Sequence, residues 1–141
     1  MTTIAYDGIT LAADTQTTDG YGLKGNAVKL HAGRCWIAGF SGSTGLAKRF
    51  ILEHGDDKPQ QLLSTVFNDA YKDDLSVLLV VGEKPYILTQ SVFIEVDSKQ
   101  HAIGSGRDYA LMAMRLGKTA EEAVRLASEF DAHTGHEVIT L

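Results

Sequence analysis

Thr2 follows Met1, and an initiator methionine is removable before a residue as small as threonine, which would leave a free α-amine and a hydroxyl on one residue. A hydroxyl attacks a carbonyl only when a base takes its proton, and an α-amine with an ordinary pKa of about 8 can be that base. Many chains begin Met-Thr, so by itself the pair also reads as an ordinary terminus. Asp14 and Lys29 fall on β-prone segments that can lie beside the first strand. A lysine there would lower the pKa of a neighbouring amine, and the aspartate would hold the lysine. Taken in isolation, the two read as a surface ion pair.

Gly39-Phe40-Ser41-Gly42-Ser43-Thr44-Gly45 passes from strand to helix and offers backbone N–H groups to an oxyanion or a phosphate. It lacks the Gly-Lys-Ser/Thr ending of a phosphate loop. Ser41 is followed at once by Gly42, so it is not a Gly-x-Ser-x-Gly elbow either; a tight turn with a helix cap is the plainer account. Gly104-Ser105-Gly106 is a second strand-to-helix turn, with Ser105 its polar member. Asp131-Ala132-His133-Thr134-Gly135 ends the last helix, with Gly135 as its stop. Cys35 lies in an apolar stretch and reads as a buried structural thiol. His54, Asp56 and Asp57 read as a solvated loop, and His31, His101, His133 and His136 show no metal-ligand spacing.

These residues sit in a chain of 141 residues, 44% hydrophobic, which suits one domain over 1–141 with a single sizeable core. A formal charge of −5 without a Lys/Arg cluster argues against nucleic acid as a partner, because phosphate binding rests on basic residues. One cysteine permits neither an internal disulfide nor a cysteine-based zinc site, which fits a reducing, cytoplasmic setting. No segment has the pattern of a signal peptide or a membrane span.

The elements that must position the chemistry begin with a hairpin, Thr2 to Tyr6 and Ile9 to Ala13, turning at Asp7-Gly8. A polar loop from Thr15 to Asn26 leads to a second hairpin, Ala27 to His31 and Cys35 to Phe40. The period then changes to about 3.6. Leu46, Ala47, Phe50 and Ile51 mark one helix; Leu62, Leu63, Val66, Phe67, Ala70 and Tyr71 mark a second, with Pro59 in its first turn. Strands are expected over Leu75 to Val81, Tyr86 to Gln90 and Val92 to Val96, with Ala102-Ile103 as a further short one. Helices follow at Tyr109 to Leu116, closed by Gly117, and from a Thr119–Glu122 capping box to Phe130. Val138 to Thr140 is an edge strand. The order ββββ-αα-βββ-αα-β predicts an α+β, four-layer αββα sandwich of antiparallel sheets.

The ordered set of Thr2-Thr3-Ile4, Leu11-Ala12-Ala13-Asp14, Lys24-Gly25-Asn26-Ala27-Val28-Lys29, Ile37-Ala38-Gly39-Phe40-Ser41-Gly42, Ala102-Ile103-Gly104-Ser105-Gly106 and Asp131 to Gly135 resembles the proteasome β-subunit family, and within it the HslV-like branch. The resemblance covers essentially the whole chain and implies the N-terminal-nucleophile hydrolase fold. It makes Thr2 the nucleophile of a threonine-type peptidase and its freed amine the base. Lys29 would tune that amine, Asp14 would orient Lys29, and Gly42 would donate its N–H to the oxyanion. Ser105, Asp131 and Thr134 would fix the amine and its water. The resemblance further implies identical subunits in a ring or double ring, an HslU-like ATPase, and protein or peptide substrates. The chemistry would need no cofactor; a structural sodium ion would be held by the backbone carbonyls of Ser128, Asp131 and Thr134. The chain is shorter than a usual member, chiefly between Thr44 and Asp74, and Val28 replaces one of two consecutive lysines. A non-catalytic subunit on the same fold and a small-molecule amidase of the same class are the other readings.

Overall fold

The computed structural model describes residues 2–18 and 24–141. Met1, whose removal is expected to free the Thr2 amine, and the 19–23 part of the polar loop lie outside the described residues. Strand β1 (Thr3–Tyr6) turns back into β2 (Leu11–Asp14). Asp7 makes this turn by accepting the N–H groups of Ile9 and Thr10 at 2.9 and 2.8 Å, while Gly8 takes a φ of 101°. The polar loop contributes a small hairpin that the sequence pattern did not reveal, β3 (Gln16–Thr18) with β4 (Lys24–Asn26). Then come β5 (Leu30–Ala32) and β6 (Trp36–Gly42).

Helix α1 (Thr44–His54) starts on a Ser43 side chain that accepts the Leu46 N–H. Helix α2 (Pro59–Ser64) is short. The expected continuation to Tyr71 is instead extended chain and a 3₁₀ turn at Asp69–Tyr71. Phe67 and Tyr71 are nonetheless buried, because both rings pack on Phe50, and that aromatic cluster imitates a helical period. Strands β7 (Leu75–Val81), β8 (Lys84–Thr89), β9 (Val92–Glu95) and β10 (His101–Gly104) follow. Helix α3 (Arg107–Arg115) starts earlier than expected, α4 (Ala120–Phe130) opens on the expected capping box, and β11 (Val138–Thr140) ends the chain's regular structure.

One antiparallel sheet runs β10-β1-β2-β11 and the other β5-β6-β7-β8-β9. Alternation along each strand explains the layers. Ile4, Tyr6, Leu11 and Ala13 meet Leu30, Leu78 and Val80 between the sheets. Ala5 and Ala12 point the other way, onto the alanine-rich faces of α3 and α4. On the outer side of the second sheet, Phe40, Phe50, Phe67, Tyr71 and Phe93 pack with α1 and α2. The result is the four-layer αββα sandwich of antiparallel sheets.

Two local expectations are corrected. Cys35 is exposed, at a φ of 63°, because it belongs to the turn between β5 and β6 and not to the strand. Gly135 does not stop α4, which ends at Phe130 with Asp131 as its C-cap; its N–H serves another purpose in the site below.

Candidate active site

The register of β1 against β2 brings Asp14 back alongside the start of the chain, and β5 follows Lys29 directly. The Lys29 ammonium stands 3.0 Å from Asp14 Oδ1 and donates to Thr2 Oγ1 and to the carbonyl of Gln16. Thr2 Oγ1 in turn donates to Asp14 Oδ1. Asp14 also accepts the N–H of Thr3 at 3.0 Å and, on its other oxygen, the N–H of Gly135 at 3.1 Å. Thr2 is 1% exposed, Asp14 0% and Lys29 8%, so this is not the surface pair that either residue alone suggests.

Burial decides the electrostatics. It pulls the pKa of Lys29 below the ordinary lysine value, although the charge and hydrogen bond of Asp14 and the more distant charge of Asp131 oppose it. A buried ion pair is weak evidence for stability, since desolvation can exceed the attraction. Its retention beside a hydroxyl points to function.

Ser105, in the turn between β10 and α3, lies 3.3 Å from the Thr2 carbonyl oxygen and donates to Asp131 Oδ2 at 2.5 Å. Thr134 Oγ1 donates to the same carboxylate oxygen at 2.7 Å and lies 2.7 Å from Thr3 Oγ1. Burial raises the Asp131 pKa, but hydrogen bonds from Ser105, Thr134 and the His133 N–H outweigh it and hold the carboxyl below its ordinary value. Gly104 has a φ of 97°, and a Cβ there would strike the Thr2 carbonyl, so only glycine lets β10 close against the first residues. Ser128 lies apart, on the exposed face of α4.

Gly42 lies at the end of β6 with a φ of 110°, where a Cβ would strike the Asp74 carbonyl. A cleft of about 150 Å³ contains Thr2, Lys29, Phe40, Ser41 and Gly42. The sequence-predicted residues Thr2, Asp14, Lys29, Ser105, Asp131 and Thr134 thus form one connected hydrogen-bonded cluster, with Gly42 across the cleft. Thr3, Gln16 and Gly135 also belong to the cluster, a part that the sequence did not reveal. Their contributions are largely backbone N–H and C=O groups, which leave no side-chain signature.

For the proposed sodium ion, the residues offer oxygen donors at the negative end of α4, which suits a cation. The Asp131 carbonyl already accepts the Thr134 N–H at 3.1 Å. Among the described residues no group of His, Cys, Asp and Glu has the arrangement of a metal site, and no helix is long and apolar enough to cross a membrane.

No family model matches the chain. Eukaryotic HslV from Trypanosoma brucei superposes with a TM-score of 0.70 at 23% identity, over 99% of this chain and 97% of that one. BPH from Thiobacillus denitrificans, solved in complex with epoxomicin, gives 0.73 at 22% identity, over 100% and 97%. Such likeness establishes the fold, the four-layer sandwich that this chain shares with those proteins. The ATP-dependent protease subunit HslV of Campylobacter concisus (strain 13826) is 33% identical over 174 aligned positions, covering 99% of this chain and 95% of that protein. The chain belongs to the HslV family. The alignment is longer than the chain's 141 residues, so this member omits stretches that the relative carries.

Proposed function

We propose that this protein is a threonine-type endopeptidase. The observation that carries the reading is the buried triangle in which Lys29 and Asp14 both hold the Thr2 hydroxyl. Processing in front of Thr2 would free its α-amine. That amine, directly or through a water, takes the Oγ1 proton as the oxygen attacks a peptide carbonyl. The positive Lys29 lowers the amine's pKa toward neutrality, and Asp14 keeps Lys29 in place. The Gly42 N–H would stabilise the oxyanion, a contact typically worth about 3 kcal/mol of barrier. The proton then passes to the leaving amine as the C–N bond breaks, leaving an ester on Thr2, which water hydrolyses. Ser105, Asp131 and Thr134 hold the neighbourhood of Thr2 through its carbonyl and through Thr3.

Assembly into a ring or double ring of identical cytoplasmic subunits, fed by an HslU-like ATPase, is part of the proposal; the relatives' names and the family support it. The single domain over 1–141 and a sodium ion clamping the Ser128–Thr134 turn complete it, with no chemical step through the ion.

The test is intact mass before and after a peptide epoxyketone, whose warhead requires a hydroxyl and a free α-amine on one residue. The expected result is a chain beginning at Thr2 that gains one inhibitor, with no adduct in Thr2→Ala. A chain that begins at Thr2 and forms no adduct, even with an unfoldase present, would favour the non-catalytic subunit.

A further inference from the structure

Gln16 reaches the cluster at two points. Its backbone carbonyl accepts the Lys29 ammonium. Its side chain runs to the segment after α4, where Nε2 donates to the Ala132 carbonyl at 2.9 Å, and the residue is only 4% exposed. That segment also holds Asp14, whose Oδ2 accepts the Gly135 N–H at 3.1 Å. Lys29 and Asp14 stand 3.0 Å apart, so the Gln16 side chain closes a ring of contacts that runs from Lys29 through Gln16 and the 132–135 segment to Asp14 and back.

The ring is not what attaches the segment. One residue earlier, the Thr15 N–H donates to the Glu137 carbonyl at 3.0 Å and Thr15 Oγ1 accepts the Glu137 N–H at 3.1 Å, and neither bond involves Gln16. What the Gln16 amide adds is the setting of its own residue, and with it the carbonyl that faces Lys29. Gly135 supplies an independent observation. Its φ lies outside the left-handed region, so the backbone does not ask for glycine there. A Cβ at this position would strike Gln16 Oε1 and come within 3.3 Å of Gln16 Cδ, and it would meet nothing else within 4 Å. The close seat of the Gln16 side chain is therefore what requires a residue without a side chain at 135.

We infer that the Gln16 side chain is a positioning group for Lys29: by gripping the 132–135 segment it fixes the carbonyl that aims the ammonium at the Thr2 hydroxyl. The inference rests on the peptidase reading. Once that carbonyl shifts, the ammonium keeps only Asp14 as a firm acceptor and is drawn toward it, away from Thr2 Oγ1. Lys29 bears on the reacting hydroxyl, so the loss falls on kcat, and small misplacements of reacting groups are costly. Gln16 also borders the cleft, and a substrate-binding role would show in KM instead.

The test compares Gln16→Met, which keeps length and bulk but removes the donor, with Gly135→Ala, which leaves Gln16 in place and pushes its amide aside. Peptide cleavage by the assembled protein is measured, with kcat taken per site titrated by a peptide epoxyketone, so that loss of folded protein does not count. Each variant is expected to lower kcat about tenfold while KM stays within about twofold. Gln16→Ala clears the space that the added methyl group needs, so Gln16→Ala combined with Gly135→Ala should be no slower than Gln16→Ala alone. An unchanged kcat in both single variants overturns the inference, as does a loss carried by KM or a pair whose losses add. Should Gln16→Met fail to assemble, Gly135→Ala decides by the same kcat criterion. If the unsubstituted protein cleaves no peptide and takes no epoxyketone, the peptidase reading itself falls, and the positioning role with it.

Discussion

Each residue at the centre has a separable consequence. Thr2→Ala removes the hydroxyl that Lys29 and Asp14 hold, and peptide cleavage should vanish while sedimentation is unchanged. Lys29→Ala should lower kcat/KM by more than about a hundredfold. It should also destabilise the fold by about 3–5 kcal/mol, since it strands the buried Asp14 carboxylate, with chemical denaturation as the check. Asp131 gives a pH signature whose sign is fixed by its depressed pKa. The contribution is fully present above the ordinary value of 3.8 and is lost as pH falls through the lower folded value. Stability should therefore decline on acidification below about pH 4, and Asp131→Asn should flatten part of that decline.

At the scale of elements, α1 and β6 matter most, because Gly42 ends β6 and α1 begins two residues later. Phe50 ties them together: its ring lies 5.5 Å from Phe40, 5.3 Å from Phe67 and 5.6 Å from Tyr71. Phe50→Ala should lower the unfolding free energy by about 3–5 kcal/mol. On the opposite face, Thr119 caps α4 by accepting the Glu122 N–H, and its N–H is held by Glu122 Oε1. Thr119→Ala should cost about 1 kcal/mol and leave peptidase kinetics unchanged, as read by thermal melts and a cleavage assay.

The whole molecule has an outer helical layer less covered than its core. Tyr109 stacks on Phe130 at 5.4 Å, yet the two are 44% and 62% exposed, and Met112 and Leu116 beside Tyr109 on α3 are 62% and 76% exposed. Tyr109, Met112 and Leu116 recur at helical spacing along α3, and exposed apolar residues grouped in this way suit a contact face. The ring proposal predicts a sedimenting species several times the single chain, and Met112→Glu with Leu116→Glu should shift it toward smaller species.

The sequence by itself determined the elements whose signals are local. Asp7-Gly8, Ser43 and the Thr119–Glu122 box act within a few residues, and alternation in β1 and β2 fixes which side chains enter the core whatever lies opposite. It also marked Thr2, Asp14, Lys29, Gly42, Ser105, Asp131 and Thr134, because an ordered set of motifs is read along the chain. Only tertiary structure decided that Asp14 and Lys29 form a buried pair and not a solvated one, since burial depends on sheet packing. The same holds for Cys35, turned outward by its position in the hairpin, and for Phe67 and Tyr71, whose burial comes from Phe50 and not from a continued α2. Gly135 is the clearest case: its N–H reaches Asp14 across most of the chain's length, and no pattern of neighbouring residues encodes a backbone contact between segments so far apart.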